Sequence, residues 1–233
     1  MIEPMGRRLA LTCLLGGCSF STSVDPDTQL VVDSLRPIDA AIDAPEPQIG
    51  NEMLVQSNTS VTSGADIYLR TTLAPNENTN GSDFFIVDGD NIATGLVRFD
   101  VSAIPSTAIV MTAEMSLYCD TDPGEAVSIY QMLESWDEAT ATSNQRSTGV
   151  AWLGAGATPP SRSATAIGTV TPANANQTYT FAIAAATAQT WITTPATNFG
   201  VAIATTNTNG PRFRTREKGT ASQRPSLRVV YSN

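Results

Sequence analysis

Glu114-Met115-Ser116-Leu117-Tyr118-Cys119 changes side-chain character at every step, the period-two signature of a strand with one face in a core. Met115, Leu117 and Cys119 therefore share a buried face. Upstream, Gly95-Leu96-Val97-Arg98-Phe99-Asp100-Val101 reads as a neighbouring strand. Working outward, short apolar runs bounded by Pro, Gly and Asn/Asp predict further strands at 66–70, 84–87, 127–132, 178–183, 199–204, 212–217 and 227–231. So many short strands imply an all-β antiparallel sandwich. Residues 184–192 are the one helix expected, about two turns across an end of the sandwich, and the Thr/Ala/Ser-rich passage 154–176 reads as loop.

Composition narrows the function. The chain has 233 residues, 41% hydrophobic and only 15% charged, enough for one sizeable core. A formal charge of -9 argues against a nucleic-acid partner, whose phosphates need a basic surface. There is no histidine, which removes the commonest general base and transition-metal ligand together. Of the three cysteines, Cys13 and Cys18 lie near the start and Cys119 stands alone in the domain. It reads as a small buried apolar residue without a disulfide partner.

Arg7-Arg8, the apolar run Leu9–Leu15 and Gly16-Gly17-Cys18 have the order of an export signal, too short to span a bilayer. Leu15-Gly16-Gly17-Cys18 resembles the bacterial lipobox, which implies diacylation of Cys18 and a mature protein beginning there. Residues 1–18 are thus expected to be a lipoprotein signal peptide. Residues 19–50, acidic and broken by Asp25-Pro26, Arg36-Pro37, Ala44-Pro45 and Glu46-Pro47, cannot bury enough apolar surface to offset ordering entropy and are expected to be a disordered linker. The domain then occupies 51–233. Export, lipid anchoring at a membrane or cell surface, and no membrane contact beyond the anchor follow as expectations.

The order of landmarks adds a resemblance. Asp66-Ile67-Tyr68-Leu69-Arg70, Leu96–Val101 with Ile104-Pro105-Ser106, Ala113–Tyr118, Val127-Ser128-Ile129-Tyr130 with Ser135-Trp136, Phe213-Arg214-Thr215-Arg216-Glu217 and Arg224–Tyr231 together resemble the DNRLRE domain family. The resemblance covers nearly all of 58–231 and implies a jelly-roll-like β-sandwich, exported by bacteria and archaea and akin to carbohydrate-binding modules. The chain departs from the family pattern at Thr142-Ser143-Asn144, where a Thr-Trp-Asn is usual, and near Ala182, where an Asp usually opens the short helix. The first change weakens an aromatic sugar platform, and the second removes a helix cap or a cation ligand.

Candidate sites carry competing readings. Arg98 and Glu217 match signature positions and are expected to belong to a partly buried structural ion pair or network. Arg212, Arg214 and Arg216 alternate and should project from one face, either balanced by carboxylates such as Asp100 or Asp120, simply solvated, or offering a cationic stripe to an acidic glycan. Trp136 and Trp191 read as structural; Trp152, in a Gly/Ala-rich loop, is the best candidate for stacking on a sugar. Asp88-Gly89-Asp90-Asn91 and Asp120-Thr121-Asp122-Pro123-Gly124-Glu125 have the oxygen-rich character calcium needs, set against the plainer reading as solvated turns. No other cofactor is called for. Asp137 and Glu138 are carboxylates beside Trp136, but nothing in the sequence sets two carboxyls across a cleft, so no catalytic residue is assigned. The leading expectation is a non-catalytic surface lipoprotein that grips an extracellular or wall polysaccharide. Its rivals are an adhesion protein that contacts another protein and, behind it, a polysaccharide lyase or hydrolase.

Overall fold

The computed structural model describes residues 50–56, 64–89, 92–121 and 124–233. The signal segment, Cys18, the linker, Asp90 and Asp122 lie outside these residues. In chain order the strands are β1 (Asn51–Gln56), β2 (Gly64–Arg70), β3 (Phe84–Ile86), β4 (Ala93–Phe99), β5 (Ile109–Cys119), β6 (Val127–Gln131), β7 (Gln145–Ser147), β8 (Val150–Ala151), β9 (Gly168–Val170), β10 (Gln177–Ile183), β11 (Val201–Ala204), β12 (Arg212–Arg214) and β13 (Ser226–Ser232), with one helix, α1 (Ala185–Thr193). They form two antiparallel sheets and a small hairpin, β7-β8. This is the expected sandwich with a single short α-helix.

The first sheet runs β1-β13-β5-β12-β3, with β10 also on β5. The eleven-residue β5 organises it, because one edge carries β13 and then β12, at the Phe213–Cys119 pair, while the other carries β10 from Gln177–Cys119 to Ile183–Ala113. Met115, Leu117 and Cys119 point inward and are fully buried, as the alternation predicts. Phe181, Leu227, Val229, Phe213 and Phe85 join them. Gly95 makes room for that layer: a Cβ there would lie 2.6 Å from the Phe85 ring.

The second sheet runs β2-β4-β11-β6-β9. Its inner face gives Tyr68, Val97, Phe99, Val127, Ile129, Val201 and Ile203 to the main core. Its outer face is apolar as well. Ala65, Ile67, Leu69, Leu96, Ala202 and Met132 pack against Trp136, Ala141, Trp152 and Ala157. The chain between β6 and β9 therefore lays a third layer over the sheet, where the sequence reading expects loop from 154 onward. Burial on both faces also explains why β2 shows no clean alternation.

Helix α1 begins at Ala184 with no side-chain cap, consistent with the missing Asp noted above. It is tied to the sandwich instead by Gln189, which accepts from Val110 N–H at 2.8 Å and donates to Ala108 O at 2.8 Å. Ala188, Trp191 and Ile192 are buried beneath it. No helix among the described residues is long and apolar enough to cross a bilayer.

Candidate functional site

Among the described residues strand β2 pairs only with β4, so alternate backbone groups along its other edge need other partners. Side chains supply them. Tyr68 N–H donates to Thr79 Oγ1 (3.0 Å), whose hydroxyl donates back to Tyr68 O (2.8 Å), and Asp66 N–H donates to Glu138 Oε1 (2.8 Å). Asn78 Nδ2 fixes the segment carrying Glu138 by donating to Glu138 O and Ala141 O. A bare strand edge is thereby closed by polar groups that are themselves buried.

Arg216 completes the seam. Its guanidinium grips Glu138 with two bonds, Nε to Oε1 at 2.8 Å and Nη2 to Oε2 at 2.7 Å, and its backbone N–H donates to Asp66 Oδ2 at 2.8 Å. Glu217 Oε1 lies 3.0 Å from Arg216 Nε. Arg216, Glu138 and Asp66 are only 4%, 7% and 2% exposed. Burial, reinforced by the neighbouring Glu217 and Glu138 carboxylates, pushes the Asp66 carboxyl well above the usual range. One oxygen from each of Asp66, Glu138 and Glu217 lies within 4.8 Å of the others. The three carboxylates are close enough to chelate one divalent cation.

Two expectations change here. Arg98 does not pair with Glu217, which Arg216 engages instead; Arg98 lies over the Trp136 ring, 5.2 Å from its centroid. Nor does Arg216 project with Arg212 and Arg214. Strand β12 ends at Arg214, Thr215 turns inward to donate to Ser82 O, and Arg216 is carried into the carboxylate seam. Arg212 and Arg214 do share a face, and Asp120 bridges them: Arg212 donates to both its oxygens at 2.8 and 2.9 Å, and Arg214 Nη2 lies 2.6 Å away. Asp83 adds Arg214 at 2.9 Å and Lys218 at 3.5 Å. Three cations thus meet two carboxylates. Asp120, with a side chain 4% exposed, is consumed by arginines and is not available as an open cation ligand. Asp88 sits in an isolated bridge to Ala93, and no acidic cluster forms around it among the described residues.

The tryptophans are all interior. Trp136 and Trp191 are 4% and 3% exposed, and Trp152, the best of the sequence's candidates for a sugar platform, is 6% exposed. Trp152 is held by its indole N–H to Thr142 O at 2.8 Å, and Trp136 by its own to Phe199 O at 2.9 Å. Both serve the third layer, because the apolar outer face of the second sheet needs large side chains to cover it. The adjacent carboxylates Asp137 and Glu138 diverge, the first exposed and capping its own turn, the second buried on Arg216.

Among the described residues Arg98, Arg162 and Arg224 have no carboxylate within 4.0 Å. Arg98 lines an open depression of about 360 Å³ with Gly64, Asp100, Ser102, Pro195 and Asn198. Arg162 stacks 3.7 Å over the Tyr130 ring and borders a second, of about 280 Å³, with Asp88, Thr94, Thr158 and Thr205. The sequence reading singled out Arg98 only as a structural residue and had no signal for Arg162, since what distinguishes both is a guanidinium over an aromatic ring with no carboxylate beside it among the described residues.

A sandwich of two antiparallel sheets with polar surface depressions is an architecture that carbohydrate-binding modules share. Residues 57–231 match the profile of carbohydrate-binding module family 96, and the chain belongs to that family. Comparison with curated proteins gives no match. Modules of this type are non-catalytic, so the role of the domain is to bind a ligand without transforming it.

Proposed function

We propose that this protein is an exported lipoprotein, anchored through Cys18, whose module holds an extracellular or wall polysaccharide, with Arg98 as the principal contact to an acidic sugar. The observation that carries the glycan reading is the family match over 57–231. What favours an acidic polymer is the state of Arg98: a half-buried guanidinium in an open depression, with no carboxylate of the described residues within 4.0 Å, in a chain of net charge -9. A guanidinium fork matches a uronate carboxylate bidentately. Ser102 and Asn198 beside it add hydroxyl and amide groups of the kind that recognise sugar hydroxyls.

Affinity electrophoresis of the full chain through gels containing a uronate polymer or a neutral glucan tests this reading. The wild type is retarded by the acidic gel, less so as salt rises, and Arg98→Gln abolishes the retardation while remaining folded by circular dichroism. Equal mobility of the two folded proteins in the acidic gel refutes the assignment to Arg98. Release of a Cys18→Ser variant into the soluble fraction tests the anchor, and its retention in membranes refutes it.

A further inference from the structure

We propose that the seam formed by Asp66, Glu138 and Glu217 is a calcium site that locks the free edge of β2 to the segment following β12. The first observation is one of unmet bonding. Among the described residues no N–H or O–H group donates to the buried oxygens Asp66 Oδ1 and Glu217 Oε2, although the two carboxyls lie close enough to share a proton, and Asp66 is only 2% exposed. Native proteins seldom leave such acceptors unsatisfied. Each carboxylate has spent its other oxygen, Asp66 Oδ2 on Arg216 N–H and Glu217 Oε1 on the Arg216 guanidinium, so the unmet oxygens remain for something else.

The second observation is charge. Three carboxylates face one guanidinium, which leaves two negative charges in a volume that water barely reaches. A single divalent cation cancels them. A proton shared between Asp66 and Glu217 would leave one negative charge buried, and it would satisfy the same two oxygens less completely.

Distance and donor chemistry select the ion. A cation bound by oxygens at about 2.3–2.6 Å holds them no more than about twice that apart, and one oxygen of each group lies within 4.8 Å of the others. The donors are oxygens only, with neither thiolate nor imidazole in the cluster, which selects a hard cation. They come from three distant parts of the chain, and Arg216 blocks one side. An irregular set of this kind suits calcium, whose coordination is adaptable and can be completed by water, better than magnesium, which demands a near-ideal octahedron. The site is separate from the Asp88 and Asp120 turns that the sequence offers for calcium, and it does not depend on any glycan being bound.

The consequence is mechanical. The cation joins a strand edge of one sheet, the third layer through Glu138, and the chain leaving the other sheet. The test uses the full-length protein, purified, gel-filtered and analysed for metal by mass spectrometry, then melted in EDTA, in calcium chloride and in magnesium chloride. One calcium per chain, a midpoint raised by about 5–10 °C at a hundredfold excess over Kd relative to EDTA, and loss of both in Glu217→Gln and in Asp66→Asn are expected. Both variants keep the shape of the side chain and lose its charge. Substoichiometric metal with identical midpoints in EDTA and calcium overturns the proposal and leaves the shared proton as the explanation. Equal stabilisation by magnesium overturns the choice of calcium.

Discussion

Replacing Arg216 by methionine fills similar space and leaves Glu138 buried without its cation. Both side chains are nearly inaccessible, 5% and 8% exposed, and are joined by two bonds of 2.8 and 2.7 Å. Removing one partner of such a pair costs about 3–5 kcal/mol, most of it the penalty of the stranded charge. For a domain of this size each kcal/mol moves the melting midpoint by about 2–4 °C, so Arg216→Met should melt about 6–20 °C lower by calorimetry. The double variant Arg216→Met/Glu138→Leu removes the stranded charge and should recover part of the loss. It cannot recover all of it, because Asp66 N–H then loses its acceptor, at about 1–3 kcal/mol for an unsatisfied buried group. The order expected is therefore wild type above the double variant above the single one. An Arg216→Met midpoint within 2 °C of wild type, about 1 kcal/mol or less, would refute the view that this pair closes the seam.

The surface pair Arg228–Glu52, with side chains 44% and 52% exposed, is the contrast, and Arg228→Gln should leave the midpoint unchanged by the same calorimetry. Trp152→Ala should cost about 3–5 kcal/mol by emptying the third layer; a variant of native stability that has lost glycan retention would return Trp152 to the ligand surface. Gly200 has φ +77, and a Cβ there would lie 2.2 Å from Val97 O, so Gly200→Ala should melt well below wild type, and an unchanged midpoint would show that the β4–β11 junction can yield. Cys119 is fully buried, and burial pushes its thiol above the usual range. Peptide mapping after alkylation should find Cys119 unmodified in the native protein and modified in guanidinium, whereas equal labelling would mean that the β5 end opens readily.

The parts of the fold that were legible in the sequence are those with one wet face. From 114 to 119 the inner face meets a core and the outer face meets solvent, so alternation survives in the residues themselves. Strand β2 carries no such record: Tyr68 goes to one core and Ala65, Ile67 and Leu69 to the other. The third layer was illegible for a related reason. Trp136, Ala141, Trp152 and Ala157 have no common period, and only the sheet beneath them gives their spacing a meaning. Alternation also misled at its end. Reading Phe213 to Glu217 as continuous strand put Arg216 outside, but the strand stops where Thr215 N–H donates to Asp83 O and its hydroxyl to Ser82 O. The carboxylates that receive Arg216 lie 78 and 150 residues away along the chain, a separation no local pattern spans.

The burial of all three tryptophans bears on how this module can recognise a glycan. A sugar ring laid on an exposed indole gains much of its affinity from apolar contact, which is nearly indifferent to salt. Here Trp136 and Trp152 are spent on covering the outer face of a sheet and Trp191 on the main core, and Ser143, which stands where the resemblance implies a Trp, is itself 1% exposed. The aromatic rings left near the depressions, Trp136 and Tyr130, each carry an arginine on one face, Arg98 and Arg162. A guanidinium already held over a ring by cation–π attraction has less freedom to lose when its edge meets a carboxylate. On the proposed reading, affinity therefore comes from preoriented charge instead of from stacking, and it should fall with ionic strength and scale with the carboxylate content of the polymer. Methyl-esterifying the uronates provides the direct measurement, since it removes charge while leaving the sugar ring intact. Retardation that persists on a fully esterified polymer would show that ring contacts dominate after all, and that Arg98 is held over Trp136 for the stability of the third layer alone.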